Sequence, residues 1–209
     1  MTPRYVTDIV KDVKIILDEN DVTTNILSED QDQIQLDAII ASKIPMAVRD
    51  IHMNAPLHML DGLPLTNAPF TNQDGTGYIT LPNDFMRLAI LQMTDWITPV
   101  TTVITDTDAE YIKQKSKYAG IRGNRFKPVC ALTSSNENKI LEFYSVKQGE
   151  QAKIKKFTYI PYPQESEGVI LVCDMVYNAI IYMAAGLTAT TIKESNAEAL
   201  INIAKGQLQ

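Results

Sequence analysis

The sequence predicts an α+β protein: an α-helical bundle, made of an N-terminal helical hairpin and a long C-terminal helix, carrying an inserted antiparallel β-sheet. Three observations predict it. Apolar residues recur at three- and four-residue spacing near both ends of the chain, the period of a helix with one buried stripe. Between them, runs rich in Val, Ile, Thr and aromatic residues are punctuated by Asn, Gly and Pro, the pattern of short strands and turns. The stretch Tyr78 to Trp96 holds a short apolar strand, a Pro82-Asn83-Asp84 turn, a second apolar run and the only tryptophan. The expected division is residues 1–53 and 167–209 for the bundle, 54–77 for an extended connector or arm, and 78–166 for a β-rich insertion with a short helix near 107–118.

In chain order, Thr2-Pro3 predicts a helix start, because Thr can cap free N–H groups and Pro at the first helical position loses no hydrogen bond. Val6, Ile9, Val10, Val13, Ile16 and Leu17 form the stripe that follows. A second helix is expected at Ser28, where Ser-Glu-Asp-Gln has the form of a capping box. Its apolar positions are Ile34, Ala38, Ala41, Ile44, Val48 and Ile51, and Pro45 should kink it. From Asn54 to Gly77 the periodicity dissolves into Pro and Gly. So long a connector is often a binding arm, although a surface loop or small hairpin fits too. Pro64, Pro69 and Phe70 are its candidate partner-interface residues.

Pro82 should end a strand, Asp84 bond the local backbone in an Asx-type turn, and Phe85 re-enter the core, with Trp96 as a large anchor on the same layer. These four and Tyr177 are candidate structural anchors. Ile97 to Ile104 reads as strand, and Thr105 opens a short helix to about Tyr118. Strands Lys127–Thr133, Lys139–Val146 and Ala152–Ile160, joined by Asn136-Glu-Asn and Lys147-Gln-Gly-Glu, suggest a meander. A helix from Glu167 to Thr188 follows, its stripe including Val169, Cys173, Tyr177 and Ile180. Ser195-x-x-Glu198 is a second capping box, opening a last helix through Ala204.

Chemistry is sparse. The net charge of −6 argues against a dedicated nucleic-acid binder. Cys130 and Cys173 sit in apolar runs, as small core residues do. With His52 and His58 the only histidines, a His/Cys metal site or a Ser-His-Asp triad is hard to build. Asp106, Asp108 and Glu110, like Glu29, Asp30 and Asp32, stand where helix N-termini favour acids, and a spacing of two makes them diverge. Gly120-x-x-Gly123 lacks the spacing of a phosphate loop. No enzyme activity, catalytic residue, cofactor or metal is therefore expected. Acids at Asp8, Asp12 and Asp18 are unlike a secretory leader, and no apolar run reaches the roughly 18 residues of a membrane span. Lys113, Lys115, Lys117, Arg122, Arg125 and Lys127 gather with Tyr111, Tyr118 and Phe126 between them. This is either a patch for an acidic partner or phosphate backbone, or a solvated face.

Taken in succession, the helical hairpin, Leu81-Pro82-x-Asp84-Phe85-x-Arg87-Leu88, Trp96, the strands ending in Tyr159-Ile-Pro-Tyr-Pro163 and the segment Asp174-x-x-Tyr177-x-x-Ile-Ile-Tyr-x-Ala184-Ala185 resemble the head-to-tail adaptor proteins of tailed phages, closest to short-tailed and crAss-like phages. The resemblance implies a virion protein of the neck or tail, made in the host cytoplasm. It implies a homo-oligomeric ring, commonly of about twelve copies, below the portal. Such a ring continues the DNA channel without sequence-specific binding and offers a platform to the next tail component. Some adaptors reach the portal with a long C-terminal arm. Few residues follow Ala204 here, so the Asn54–Gly77 connector becomes the candidate portal contact. The alternative is a bacterial or phage binding module that sets the basic loop on an acidic protein or nucleic acid.

Overall fold

The computed structural model describes residues 1–19, 31–116, 118, 121–135 and 138–209. The capping box at Ser28, Glu29 and Asp30, the cation Lys117, Gly120 and the Asn136-Glu137 turn lie outside the described residues. Two compact units are present: Met1–Asp61 with Tyr162–Gln209, and Gly62–Pro161. The expected bundle with one inserted sheet is corrected. Among the described residues there are five α-helices and three sheets, and one of those sheets belongs to the helical unit.

The chain opens as strand β1 (Thr2–Tyr5), then enters α1 (Val6–Glu19) and α2 (Gln31–Asn54). The expected cap at Thr2 is thus replaced by a strand. Its hydroxyl donates to the Asp174 carboxylate at 2.6 Å, and Pro3, which lacks an N–H, stands on an edge strand where none is needed. Helix α1 buries Val6, Ile9, Val10, Val13 and Leu17. In α2 the buried stripe is Ile40, Ile44, Ala47, Val48 and Ile51, while Ala38 is exposed. Each fully buried Ile contributes about 1.5–3 kcal/mol relative to an exposed one.

The Gly62–Pro161 unit carries β2 (Leu63–Pro64), β3 (Phe70–Thr71), β4 (Gly77–Thr80), β5 (Phe85–Met93), β6 (Ile104–Thr105), helix α3 (Ala109–Gln114), β7 (Cys130–Ser135), β8 (Asn138–Phe143) and β9 (Ile154–Pro161). One sheet runs β2-β9-β5, the other β3-β4-β8-β7-β6, with β6 parallel to β7. The Pro82-Asn83-Asp84 turn therefore takes the chain from one sheet to the other. Residues of both share a core: Ile79, Leu141 and Phe143 from one, Phe85, Leu91 and Phe157 from the other, closed by Trp96.

The expected meander is corrected as well. Strands β7 and β8 form its hairpin, but β9 pairs with β5 and β2. The second edge of β8 is already taken by β4, in the register Gly77↔Phe143 to Thr80↔Ile140. Of Ile97–Ile104, only Ile104 is in a strand, with Val100 making one bridge to Leu91. Gly75 makes the turn before β4 possible: its φ is +82°, and a Cβ there would lie 2.0 Å from the Val146 carbonyl oxygen.

The chain returns through β10 (Glu165–Ser166) and β11 (Val169–Val172), then forms a 3-10 turn at Asp174–Val176, α4 (Tyr177–Ile192) and α5 (Ala197–Gly206). The long helix expected from Glu167 thus starts at Tyr177, because Val-Ile-Leu-Val pairs with β1 in the third sheet, β1-β11-β10. At Asn196 no side-chain cap bond forms, so the second capping box is not made. Helix α4 packs on α1, α2 and α5, and is buried over most of its circumference. Asp174–Ile192 is long and apolar enough to cross a membrane by composition, yet over half of it is interior here.

Candidate functional site

The best-formed cleft lies in the Gly62–Pro161 unit, with a volume of about 230 Å³. Helix α3 and its C-cap residue place Tyr111 and Lys115 four residues apart on one face, and β8 with its extension places Glu142 and Tyr144 two apart on one face. The four meet. Glu142 accepts the Tyr111 hydroxyl at 3.1 Å, the Lys115 ammonium at 2.9 Å and the Tyr144 hydroxyl. Burial works to raise the Glu142 carboxyl, but the bonds from Tyr144 and Lys115 outweigh it and hold its pKa below the usual range. Lys115 is opposed by burial too, and the bonds to Tyr111 and Glu142 leave it raised. Tyr144 is pushed up by burial and then by the neighbouring carboxylate.

Across the cleft, Arg122 is 6% exposed, unlike the surface cation its neighbours suggest. Its guanidinium donates to the Asp74 carbonyl at 2.5 Å and stands 3.5 Å from the Asp74 carboxylate, while Nε has no partner. Burial works to raise Asp74, but bonds from Thr76 and the Arg122 charge lower it. Buried Gln114 ties α3 to this loop by accepting the Gly123 N–H at 2.7 Å. Each cation in the cleft thus has a carboxylate beside it. Such a site is a structural clamp between α3, the Gly75 turn and the loop that follows, with little charge left over for an anionic ligand.

That loop carries the second feature. Asn124 and Lys127 exchange backbone bonds, and the Asn124 side chain accepts the N–H groups of Phe126 at 3.0 Å and Lys127 at 3.1 Å. The tip is held from outside as well, by Ile97 N–H on the Arg125 carbonyl at 2.9 Å and the Thr98 hydroxyl on the Phe126 carbonyl at 2.9 Å. A tightly tied turn therefore presents Phe126, 61% exposed, with the Arg125 guanidinium 5.0 Å from its ring centre. Tyr118, Ile121 and Ile97 are exposed beside it in the chain or by these bonds, and Lys113 and Lys127 are exposed too.

The other singled-out residues are dispersed. Pro64 is exposed on β2, an edge strand, which suits a residue without an N–H. Pro69 is half-buried, and Phe70 is exposed with its ring 5.1 Å from that of Tyr78. Pro82 is half-buried and its carbonyl accepts the Phe85 N–H at 3.0 Å. Asp84 accepts the Tyr159 hydroxyl at 3.2 Å, and the Phe85 and Tyr159 rings stack at 5.8 Å. Buried Trp96 donates its indole N–H to the Ser145 carbonyl at 3.2 Å. Tyr177, in the helical unit, donates to Asp12 at 2.6 Å under the Arg4 guanidinium. Burial and then Asp12 raise its pKa.

Sequence reasoning missed the outer face of the third sheet, where Tyr5 and Leu171 are exposed. The alternation in Thr2-Pro-Arg-Tyr5 and the β-branched run Val169–Val172 carry that signal. It also missed the burial of His52, which is 1% exposed in α2 with no partner on either ring nitrogen. Burial, and next the positive N-terminus, lower its pKa to about 4. Among the described residues no group of three or more His, Cys, Asp and Glu could hold a metal. No protein-family model matches the chain, and no curated protein matches it.

Proposed function

We propose that this chain is a structural virion protein, forming an adaptor ring between portal and tail that continues the DNA channel and gives the next tail component a docking platform. The observation that carries the reading is the tied turn at Asn124–Lys127. It holds a large apolar side chain in water with its backbone bonded from both sides. A rigid apolar anchor with a basic rim has the make-up of a protein–protein hot spot, because its ordering is complete before binding. The succession of motifs shared with phage adaptors supplies the particular assembly, and the overall negative charge suits a channel through which phosphates must slide.

The test mixes the purified chain with a purified portal and examines the product by negative-stain microscopy and co-sedimentation. A ring of copies on the portal is expected. A monodisperse chain that leaves the portal bare rejects the reading.

A second reading has its own observation: exposed Tyr118 and Phe126 stand among Lys113, Arg125 and Lys127, as stacking platforms do in single-strand binders. Salt-dependent retention on single-stranded nucleic acid, abolished by Arg125→Glu with Lys127→Glu, would establish that module instead.

A further inference from the structure

The two units have opposite charge. Met1–Asp61 with Tyr162–Gln209 holds 7 Lys and Arg against 16 Asp and Glu, net −9, whereas Gly62–Pro161 holds 12 against 9, net +3. Each unit also exposes an apolar surface whose charged neighbours match its own sign. In the basic unit it is the Phe126 turn, with Ile97, Arg125 and Lys127. In the acidic unit it is the outer face of the β1-β11-β10 sheet. The register pairs Pro3 with Leu171 and Tyr5 with Val169, so these four side chains share one face, opposite buried Ile170 and Val172. Tyr5 is 63% exposed there, and Met175, 66% exposed, follows in the next turn.

The charge beside this face comes from exposed Glu167 in the turn from β10 to β11, whereas Glu165 is paired with Ile170 and stands on the other side of the sheet. Arg4 and Asp174 pair with each other at 2.9 Å and cancel. Edge-to-edge pairing of two β1 strands is opposed by Pro3, which offers no donor. A self-complementary contact between two such faces would also bring like charges together at Glu167.

We infer that copies associate head to tail, the Phe126 turn of one seated on the Tyr5–Leu171 face of the next, with Arg125 and Lys127 meeting Glu167. A contact between two different surfaces of one chain is heterologous, and it propagates until it closes into a ring or runs on as a filament. The inference rests on the ring reading above, and adds which surfaces make the contact. The apolar side chains supply attraction, and the charges set orientation and partner choice.

Sedimentation velocity on the full chain tests it, at about 50 mM and about 300 mM salt, where screening differs strongly. Arg125→Glu with Lys127→Glu, and separately Glu167→Lys, should each weaken self-association at least about tenfold, as should the higher salt. An equimolar mixture of the two variants restores opposite charge at every contact and should recover association to near the wild-type level. Every side chain named in the contact lies at the surface, and circular dichroism checks that the variants fold. A chain that stays monomeric well above ~10 μM, variants that associate like wild type, or a mixture no stronger than its components would each overturn the inference. Rings on the portal that survive both charge reversals would remove this interface while leaving the adaptor reading intact. Charge-swapped self-association without portal binding would do the reverse.

Discussion

The helical unit and the β-rich unit solve burial in different ways. In the first, aliphatic side chains from α1, α2 and the nearly all-apolar α4 fill the interior, and buried His52, which can take a positive charge, stands without a partner. In the second, two sheets share an aromatic and aliphatic core, and polar groups are gathered at the margin, where Glu142 and Asp74 neutralise Lys115 and Arg122. The difference teaches where each unit is vulnerable. The β-rich unit depends on turn geometry and a satisfied polar clamp, and the helical unit on keeping a proton off one imidazole.

The largest expected effect breaks the turn side of this comparison. Gly75→Val puts a β-branched residue at φ +82° with its Cβ against the Val146 carbonyl, and should cost about 3 kcal/mol or more. Urea unfolding followed by Trp96 emission reports it from within the same unit. A loss below about 1 kcal/mol would mean that the turn relaxes freely.

The next effect belongs to the helical unit. His52 has a folded-state pKa near 4 against 6.5 when unfolded, so the unfolded chain binds the proton first as the pH falls. Stability is therefore whole above about pH 6.5 and declines toward pH 4, by about 2–3 kcal/mol. Amide exchange of α2 between pH 7 and 4.5 should show it, and His52→Leu should flatten the dependence. The depressed carboxylates Glu142 and Asp74 lose their contribution only at lower pH, which separates the two windows.

Glu142→Gln is a smaller change. It removes the charge that Lys115, Tyr111 and Tyr144 share, and should cost about 1–2 kcal/mol. It should also lower the pKa of Tyr144, read by ultraviolet titration of the phenol. An unchanged phenol would show that burial alone sets that value. The smallest effect is Lys11→Ala, which removes an exposed pair with Asp8 at 3.1 Å and should move stability by no more than about 0.5 kcal/mol.

Legibility in the sequence followed the range of the interaction. The stripe of α1, the turn at Pro82–Asp84 and the hairpin of β7 and β8 depend on neighbours close in the chain, and the residues there announced them. The segment 169–180 was ambiguous because Val169, Cys173, Val176 and Ile180 fit a helical period while Val169–Val172 fits a strand equally well. Only pairing with β1, more than 160 residues away in the chain, decides between them. Arg122 looked like its neighbours Arg125 and Lys127, since nothing local shows that Asp74 comes to meet it.

The sequence by itself determined the helical stripes, the turn chemistry and the core aromatics, all of which follow from residue type and short spacing. Tertiary structure decided which edge of each strand is occupied, that β4 and β5 belong to different sheets, and which apolar side chains are left in water. Those outcomes depend on contacts between residues far apart in the chain, where several pairings bury similar area and only the folded whole selects one.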